Sequence, residues 1–370
     1  MRQYLDIVEK ILTKGEWKEN RTVIDTIAIA GEMFEHDMSE GFPLLTTKNV
    51  SFKMISSELE FFIRGLADKK WLTDRKNHIW DEWANPDSVK KHIIEKSMPP
   101  YVIEDKIAEL VSIYRENNQR IISPSSTEIA MRPEFDALLK DIRWKGYFET
   151  STEIFSIQDK DTKWRLMKEP DDYLIDKLKK IAQFVERDLG PIYGFQWRHW
   201  NAEYDGFDKD YSGKGTDQLE KIVNTLKKNP NDRRMIVSAW NPEQISEMAL
   251  PPCHYGFQVT VIKDKLNLLW NQRSVDTMLG LPFNIASYGL LLHLLAKESG
   301  FKEGKLIGFL GDVHIYKNHL EGAKEQLKRE PFNLPTISTE NFSSIFDWEY
   351  TNSKLENYQS HPKIEFSIAV

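Results

Sequence analysis

Hydrophobic periodicity divides the beginning of the chain into three predicted segments. Residues 2–14 carry apolar side chains at helical spacing, which predicts a helix. Residues 22–38 alternate and are rich in β-branched side chains before a turn at Gly41 and Pro43, so we expect strands there. Residues 50–66 return to a helical period with apolar positions on one face. This part of the chain is therefore expected to mix helix and strand.

The end of the chain continues this mixture. The spacing predicts a helix over 217–228 and strands over 235–240, 255–262 and 266–270. Residues 283–299 are apolar on nearly all sides, which indicates a long buried helix. The overall pattern is typical of an α/β (α+β) domain.

A charged segment separates these two patterned parts. Residues 86–187 are rich in Lys, Glu and Asp, and helical patterns recur among turn-like stretches. We interpret them as a long, mainly helical insertion lobe in a domain formed by residues 1–85 and 188–370. No cluster of chemistry-bearing residues is apparent in the insertion.

Composition narrows the class of protein. Hydrophobic residues make up 40% of the 370 positions, which is enough for a packed core. The net charge of −7 argues against a broad basic face for duplex nucleic acid. A single cysteine excludes an intramolecular disulfide and a metal site of several thiolates, so we expect no metal and a reducing, cytoplasmic location. No signal-peptide pattern and no run of about 18 apolar residues is present, so no membrane span is expected.

The single cysteine, Cys253, lies between two prolines and a histidine in ALPPCHYGFQ. A lone cysteine is ordinarily a small buried hydrophobe, whereas a nucleophilic one needs an electropositive setting that favours the thiolate. A turn at Lys263 and Asp264 between two predicted strands would bring Arg273 close to Cys253. The pairing geometry makes Cys253 a candidate nucleophile.

Several polar residues each allow a structural and a functional interpretation. Arg233 and Arg234 are either solvated charges or phosphate ligands, and as neighbours in a strand they would point to opposite faces. Glu58 is either at the edge of its helix or a buried acid that relays protons. Asn284 is either an N-terminal helix cap or an amide that recognises the edge of a base.

Aromatic and imidazole side chains add two further candidate pairs. His314 and Tyr316 would share one face of a strand because strand side chains alternate. Trp80 and Trp83 belong either to the core or to a stacking platform for a flat ring. Each pair alone favours the structural interpretation.

Taken together and in their order along the chain, these motifs resemble those of the thymidylate synthase family. The matching segments cover most of residues 1–85 and 188–370. They are FPLLTTK (42–48), HIWDEWA (78–84), DLGPIYGFQWRHW (188–200), DRRMIVSAWNP (232–242), MALPPCH (248–254), NQRSVD (271–276), LGLPFNIASYGLL (279–291), GDVHIYKNH (311–319) and SIAV (367–370).

The resemblance implies a fold, a reaction and a homodimer. The fold would be α/β (α+β) with a large, mostly antiparallel sheet whose back forms the dimer interface. The reaction would methylate dUMP with 5,10-methylenetetrahydrofolate after Cys253 attacks C6 of the pyrimidine. The implied catalytic residues are Cys253, Glu58, Tyr193, His254, Arg273 and Asn284.

The resemblance also implies two sets of binding residues. Those expected to bind dUMP are Arg21, Gln272, Arg273, Ser274, Asp276, Asn284, His314 and Tyr316, with Arg233 and Arg234 reaching the phosphate site of the partner subunit. Those expected to face the folate are Glu58, Ile79, Trp80, Trp83, Asp276, Gly280, Phe283 and Val370. The C-terminal residues would close over the site and exclude water.

Departures from the family pattern leave three functions open. The phosphate loop, residues 21–26, reads RTVIDT and lacks the two glycines usual in the family, while Asn271 and Gly256 replace bulkier residues. A synthase would reduce the methylene intermediate with hydride, whereas a hydroxymethylase would capture it with water. A non-catalytic nucleotide- or RNA-binding protein is the third possibility. Asn284 favours uracil under either enzymatic reading, since cytosine-specific relatives carry aspartate there.

Overall fold

A computed structural model describes residues 1–20, 24–83 and 187–368. Apart from Arg187, the predicted insertion lobe lies outside the described residues, as do Arg21 and Val370. The division of the chain into a catalytic domain and an insertion therefore stays a prediction.

A six-stranded sheet forms the centre of the described part, in the order β1-β2-β6-β5-β4-β3. Its strands are β1 (Glu16–Lys18), β2 (Thr26–Asp37), β3 (Ile236–Ser238), β4 (His254–Ile262), β5 (Lys265–Asp276) and β6 (Lys302–Tyr316). Every neighbouring pair is antiparallel except β5 and β6, which are parallel. The predicted fold class, with a large and mostly antiparallel sheet, is confirmed.

Helices and a small hairpin complete the described part. The helices are α1 (Arg2–Lys14), α2 (Phe52–Ile63), α3 (Lys70–Thr73), α4 (Tyr193–His199), α5 (Gln218–Lys228), α6 (Gly280–Ser299) and α7 (Leu320–Leu327). Strands β7 (Thr336–Thr339) and β8 (Ser353–Glu356) pair antiparallel in a separate two-stranded sheet. No helix of the described ranges is both long enough and apolar enough to cross a membrane.

Helix α6 is apolar on nearly all sides because it is buried between α2 and the central sheet. Its leucines, including Leu291 and Leu295, are fully inaccessible to solvent. Each such side chain contributes about 2 kcal/mol of hydrophobic free energy. The ring of Tyr288 stacks on Trp270 of β5 at 5.4 Å, which fixes the start of α6 against the sheet. The residues near that start therefore have well-defined positions.

The opposite face of the sheet exposes large apolar side chains. Met33 and Phe309 are directly opposite in the β2–β6 register and are 53% and 44% exposed. Ile236 of β3, on the same face, is 55% exposed. An apolar patch of this kind is typical of a protein–protein interface.

Three local predictions differ from the structure. Arg233 and Arg234 precede β3 in a turn, where the carboxylate of Asp232 accepts hydrogen bonds from the backbone and guanidinium of Arg234, so the strand-face prediction is wrong. Asn284 is not a helix cap, because α6 already begins at Gly280. The predicted strand over 266–270 continues to Asp276, because polar residues alternate along it while the ladder to β6 persists.

Candidate active site

Cys253 immediately precedes β4 and is held by its backbone on both sides. Its N–H donates to the Tyr193 hydroxyl at 2.8 Å, and its carbonyl accepts the Arg273 N–H at 2.8 Å. The two preceding prolines lack N–H groups and restrict the approach of the chain. The half-buried thiol thus has a defined backbone position.

Arg273 lies beside Cys253 because β4 and β5 form the predicted hairpin around Lys263 and Asp264. Its guanidinium donates to the carbonyls of Pro252 and Pro251, each at 2.9 Å. The positive charge is therefore fixed against the residues that lead into the thiol. A cation in this position favours a thiolate.

The rings of Phe62, Tyr193 and His254 form an aromatic cluster next to Cys253. Tyr193 stacks on Phe62 at 4.9 Å and lies 4.4 Å from the His254 ring, centroid to centroid. His254 Nδ1 and the Tyr288 hydroxyl are 3.0 Å apart. Burial lowers the pKa of His254 to about 3, so its imidazole is neutral at pH 7. Burial also raises the pKa of Tyr193 and Tyr288, which stay protonated.

Glu58 of α2 is connected to this aromatic cluster through Trp80, whose ring contacts Tyr193. Trp80 Nε1 donates to Glu58 Oε1 at 2.8 Å. Burial raises the pKa of Glu58 to about 7, although the hydrogen bond from Trp80 acts in the opposite direction. A carboxyl group with this pKa exchanges its proton readily near neutral pH, as general acid–base chemistry requires. The interpretation of Glu58 as a solvent-facing edge residue is thereby set aside.

Asn284 lies in the second turn of α6 with its amide oriented by the sheet. Gln272 Nε2 donates to Asn284 Oδ1 at 3.0 Å and to the Ser274 carbonyl at 3.1 Å. Gln272 Oε1 in turn accepts from Trp270 Nε1 at 3.1 Å. Because Asn284 Oδ1 accepts from Gln272, its Nδ2 group presents N–H donors. Such a donor complements a carbonyl oxygen of a base.

The end of β6 contributes a second set of side chains. The rings of His314 and Tyr316 are nearly perpendicular at 5.2 Å and share a face of the strand, as predicted. His314 is opposite Asp276 in the register with β5, and Ser274 is opposite Asp312. Asp276 Oδ1 accepts two backbone N–H groups that lead into α6, at 3.0 and 3.2 Å. The structure thus brings the predicted sugar and phosphate residues of β5 and β6 side by side.

Comparison with known proteins identifies the family to which this arrangement belongs. A sequence model described as thymidylate synthase matches residues 2–370. The chain is 38% identical to thymidylate synthase of Listeria monocytogenes serotype 4b (strain F2365), and the alignment covers both chains completely. It is also 38% identical to thymidylate synthase of Listeria innocua serovar 6a (strain ATCC BAA-680 / CLIP 11262), again with complete coverage of both.

This chain belongs to the thymidylate synthase family. The family consists of folate-dependent one-carbon transferases of nucleotide biosynthesis, which bind dUMP and use methylenetetrahydrofolate. The chain's chemistry is therefore of this class. The fold and the family resemblance predicted from the sequence are both confirmed.

The expected folate side of the thymidylate synthase site is partly assembled. Ile79, Trp83 and Phe283 are half-buried and pack against the main core, while Trp80 is buried on Glu58. A side chain added at Gly280 would lie 3.8 Å from both Asn284 Oδ1 and the Cβ of Asp276. Gly280 therefore belongs to the same cluster as these two residues.

The C-terminal segment lies against the end of the GDVHIYKNH motif. His319 Nε2 and the Ser367 carbonyl are 2.8 Å apart, and Asn318 Nδ2 donates to Ser367 Oγ at 2.7 Å. The Phe366 ring packs on His319 at 5.0 Å. His319 in turn is buried beside Asp276, with Nδ1 4.0 Å from Oδ1. The chain thus approaches the site at Phe366 and Ser367, the latter three residues before Val370.

Arg233 and Arg234 are not brought to the thiol of their own chain. The side chain of Arg234 is 88% exposed and bonds to Asp232, while Arg233 is also exposed. Arg21 and Val370 lie outside the described residues.

Sequence reasoning missed Tyr288. Its position four residues after Asn284 places both on one side of α6, and this spacing was a usable signal. The contact with His254 was not foreseeable, because it joins α6 to β4 through two neutral side chains.

Proposed function

We propose that this protein is a thymidylate synthase that converts dUMP and 5,10-methylenetetrahydrofolate into dTMP and dihydrofolate. The observation that carries the proposal is the fixed placement of the Arg273 guanidinium on the two carbonyls preceding Cys253. The family membership and the buried, protonatable Glu58 support it.

The first step is covalent attack by the Cys253 thiolate on C6 of the pyrimidine. A bond forms between Sγ and C6, and the C5–C6 π electrons move towards C5 and O4. The Nδ2 donor of Asn284 faces the developing charge at O4, in the manner of an oxyanion hole. Arg273 favours the thiolate, while neutral His254 contributes no charge. C5 thereby becomes the nucleophile.

The second step transfers the one-carbon unit to C5, and the C5 proton must leave. Glu58, acting with ordered water, is the group whose pKa suits this proton transfer. The folate supplies the one-carbon unit and, in the synthase reaction, the hydride that completes the methyl group. Departure of Cys253 from C6 then restores the ring. Tyr193 and His254 support the base-side proton network.

Binding of the phosphate involves a second subunit in this proposal. Arg21, Arg273 and Ser274 hold the 5′-phosphate, and Arg233 of the partner subunit and Arg234 of the partner subunit complete the site. Four guanidinium groups suit a dianionic monoester. The apolar sheet face with Met33 and Phe309 supports this homodimer, because it supplies a surface for the partner.

The remaining binding roles follow the family pattern. Gln272, Asn284, His314 and Tyr316 bind the base and sugar, with Asp276 between substrate and cofactor. The folate lies against Ile79, Trp80, Trp83, Gly280 and Phe283 beside Glu58. Val370 closes the site from the C-terminus, which excludes water during hydride transfer.

A dUMP hydroxymethylase is the second candidate. There the same Cys253 adduct forms, water adds to the methylene carbon, and 5-hydroxymethyl-dUMP and tetrahydrofolate leave. The register favours considering it, because Gly256 lies opposite Asn271 next to an irregularity in the β4 ladder at His254. Gly256 and Asn271 are two of the positions at which the chain departs from the bulkier residues usual in the family.

Product analysis separates the two reactions. The protein is mixed with dUMP and methylenetetrahydrofolate labelled in its one-carbon unit, and the nucleotide and folate products are separated. Label in dTMP with an equal yield of dihydrofolate supports the synthase. Label in 5-hydroxymethyl-dUMP without dihydrofolate overturns it in favour of the hydroxymethylase. Nucleotide binding without either product would instead indicate a non-catalytic binding protein.

A further inference from the structure

A chain of charged side chains leads from the edge of the sheet to His314. His314 Nδ1 lies 3.1 Å from Asp312 Oδ1, two residues earlier on β6. The other carboxylate oxygen of Asp312 accepts a hydrogen bond from Lys18 at the end of β1. His314 is buried, Asp312 is half-buried and Lys18 is exposed. The ionic chain therefore runs from solvent into the site.

The carboxylate of Asp312 is the nearer of two acceptors at His314 Nδ1, at 3.1 Å, and the backbone carbonyl of Asp312 lies at 3.3 Å. An ionised carboxylate only accepts hydrogen bonds, so the Nδ1 that contacts it must carry a hydrogen. Burial alone would raise the pKa of Asp312, but hydrogen bonds from Lys18 and His314 hold it below its usual value. The neutral imidazole then has an unprotonated Nε2. Within residues 1–20, 24–83 and 187–368, Nε2 makes no hydrogen bond.

The adjacent Tyr316 supplies the complementary group. Its ring lies 5.2 Å from the His314 ring, and the two are perpendicular. A hydroxyl group that contacts both rings can donate its proton to His314 Nε2 and accept one from the Tyr316 phenol. The other tautomer of His314 would present a second donor and leave the hydroxyl proton without an acceptor. The tautomer thus decides whether both hydrogen bonds form.

We propose that Asp312 and Lys18 are positioning residues that hold His314 in the tautomer whose Nε2 accepts a hydrogen bond from the 3′-hydroxyl of the nucleotide. The inference rests on the proposed function, since it takes dUMP as the substrate. Lys18 is the last residue of β1, so the same ion pair also joins β1 to β6.

The test compares dUMP with 2′,3′-dideoxyuridine 5′-monophosphate, which lacks only the 3′-hydroxyl. Calorimetric titration measures both dissociation constants for the wild-type protein, Asp312→Ala, Asp312→Asn and Lys18→Met. The wild type should prefer dUMP by roughly three- to tenfold, the value of one or two modest hydrogen bonds. The Asp312→Ala variant should lose most of this preference, with the affinity for the dideoxy compound unchanged, because only the longer contact of Nδ1 with the backbone carbonyl at position 312 remains. Asparagine bonds in either direction and no longer fixes the tautomer, so Asp312→Asn should lose part of the preference, as should Lys18→Met.

Asp264→Ala is the matched control. Asp264 is also paired with a lysine, Lys302, but in the exposed β4–β5 turn. This variant should retain the full preference for dUMP. Thermal melting establishes that each variant is folded, and Lys18→Met provides an exposed alternative if Asp312→Ala does not fold.

The outcomes distinguish this inference from the proposed function. Equal weakening of both nucleotides in Asp312→Ala indicates a purely structural role and overturns the inference. A wild-type protein that binds both compounds equally also overturns it while leaving the proposed function standing. A wild-type protein that binds neither nucleotide overturns the proposed function and this inference together.

Discussion

The base end and the phosphate end of the candidate site are built differently. At the base end, which we define as the surroundings of Cys253, the Cys253 N–H donates to the Tyr193 hydroxyl and the Tyr193 ring contacts the His254 ring. All of these groups belong to the same chain. At the phosphate end, Arg234 is 88% exposed and pairs with Asp232, two residues away. The difference is what the proposed function requires, in which the nucleophile is preorganised within one subunit and a second subunit completes the phosphate site.

The two ends also differ in burial and in charge. Burial keeps His254 neutral and holds Glu58 near its midpoint of titration at neutral pH. At the other end, the hydrogen bond to Asp232 raises the pKa of the exposed Arg234 guanidinium. The dry, weakly charged base end suits a flat base, and in the proposed dimer the phosphate would meet the exposed arginines of the partner subunit.

Removing the nucleophile tests the base end most strongly. In Cys253→Ala, no bond to C6 can form, so kcat should fall by at least about 10⁴-fold. The Kd for dUMP should stay within a few-fold, because the other base and phosphate contacts remain. Steady-state rates and calorimetric titration measure the two quantities. Turnover within tenfold of the wild type would contradict the role of Cys253.

Replacing the acid at the base end should have the next largest effect. Glu58→Gln retains a group that accepts the Trp80 hydrogen bond but cannot exchange a proton. We expect kcat to fall by about 10²- to 10⁴-fold, the usual contribution of general acid–base catalysis. The KM for dUMP should change little. The dependence of kcat on pH around pH 7 should disappear, because the group that titrates there is gone. A variant with the wild-type pH profile would refute this assignment.

Subunit mixing tests the phosphate end. Arg234→Ala should raise the KM for dUMP by about tenfold, the loss of one charge-assisted hydrogen bond. When the Arg234→Ala and Cys253→Ala proteins are mixed, hybrid dimers can form that contain one subunit of each variant. In such a dimer, the Arg234→Ala subunit has an intact Cys253, and its site receives Arg234 from the other subunit. If equal amounts exchange freely, turnover at low dUMP should recover to about a quarter of the wild-type value.

A mixture no more active than its separate components would show that Arg234 acts within its own subunit or not at all. Phe309→Asp provides the control for the interface. A charge in the exposed apolar face should shift the protein to monomers in sedimentation velocity and abolish the recovery.

The smallest expected effect is on stability at the base end. The folded pKa of Glu58, about 7, exceeds the ordinary value of 4.5, so folding favours the protonated form. The stability of the native state should therefore fall as the pH rises from 4.5 to 7 and then level off. Glu58→Gln removes this loss, so at pH 8 it should be about 1–3 kcal/mol more stable than the wild type, with little difference at pH 4.

Glu60 is the matched comparison on the same helix. It is buried but accepts hydrogen bonds from Arg64 Nε at 2.6 Å and from the Tyr350 N–H at 2.8 Å. Glu60→Gln should therefore destabilise the protein at pH 8 in denaturant unfolding. Equal effects of the two substitutions would contradict the distinction between Glu58, which accepts a hydrogen bond from the neutral Trp80, and Glu60, which is paired with the Arg64 cation.

Strong periodicity made part of the fold predictable. Helix α1 spans the predicted residues, and β4 and the turn after it appear where alternation and turn residues indicated. Strand β6 was predicted only around His314 and Tyr316, because lysines and glycines interrupt its apolar pattern. Its pairing with β2 and β5 along its length outweighs those weak local preferences.

Local sequence likewise predicted some features of the candidate site and not others. The motif around Cys253 and the hairpin that carries Arg273 were accessible from local sequence. The cap interpretation of Asn284 failed because α6 begins at Gly280, four residues earlier than the local signal suggested. The pKa of His254 and that of Glu58 depend on burial by distant segments, which no local pattern reveals.

Trapping the covalent adduct tests the nucleophile most directly. The protein is incubated with 5-fluoro-dUMP and methylenetetrahydrofolate, denatured, digested and analysed by mass spectrometry. Fluorine at C5 cannot leave as a cation, so the reaction should stop with nucleotide and folate both joined to the enzyme. The account predicts their combined mass on the peptide that contains Cys253, and none in Cys253→Ala. An adduct on another residue, or no adduct from an enzyme that turns over dUMP, would contradict it.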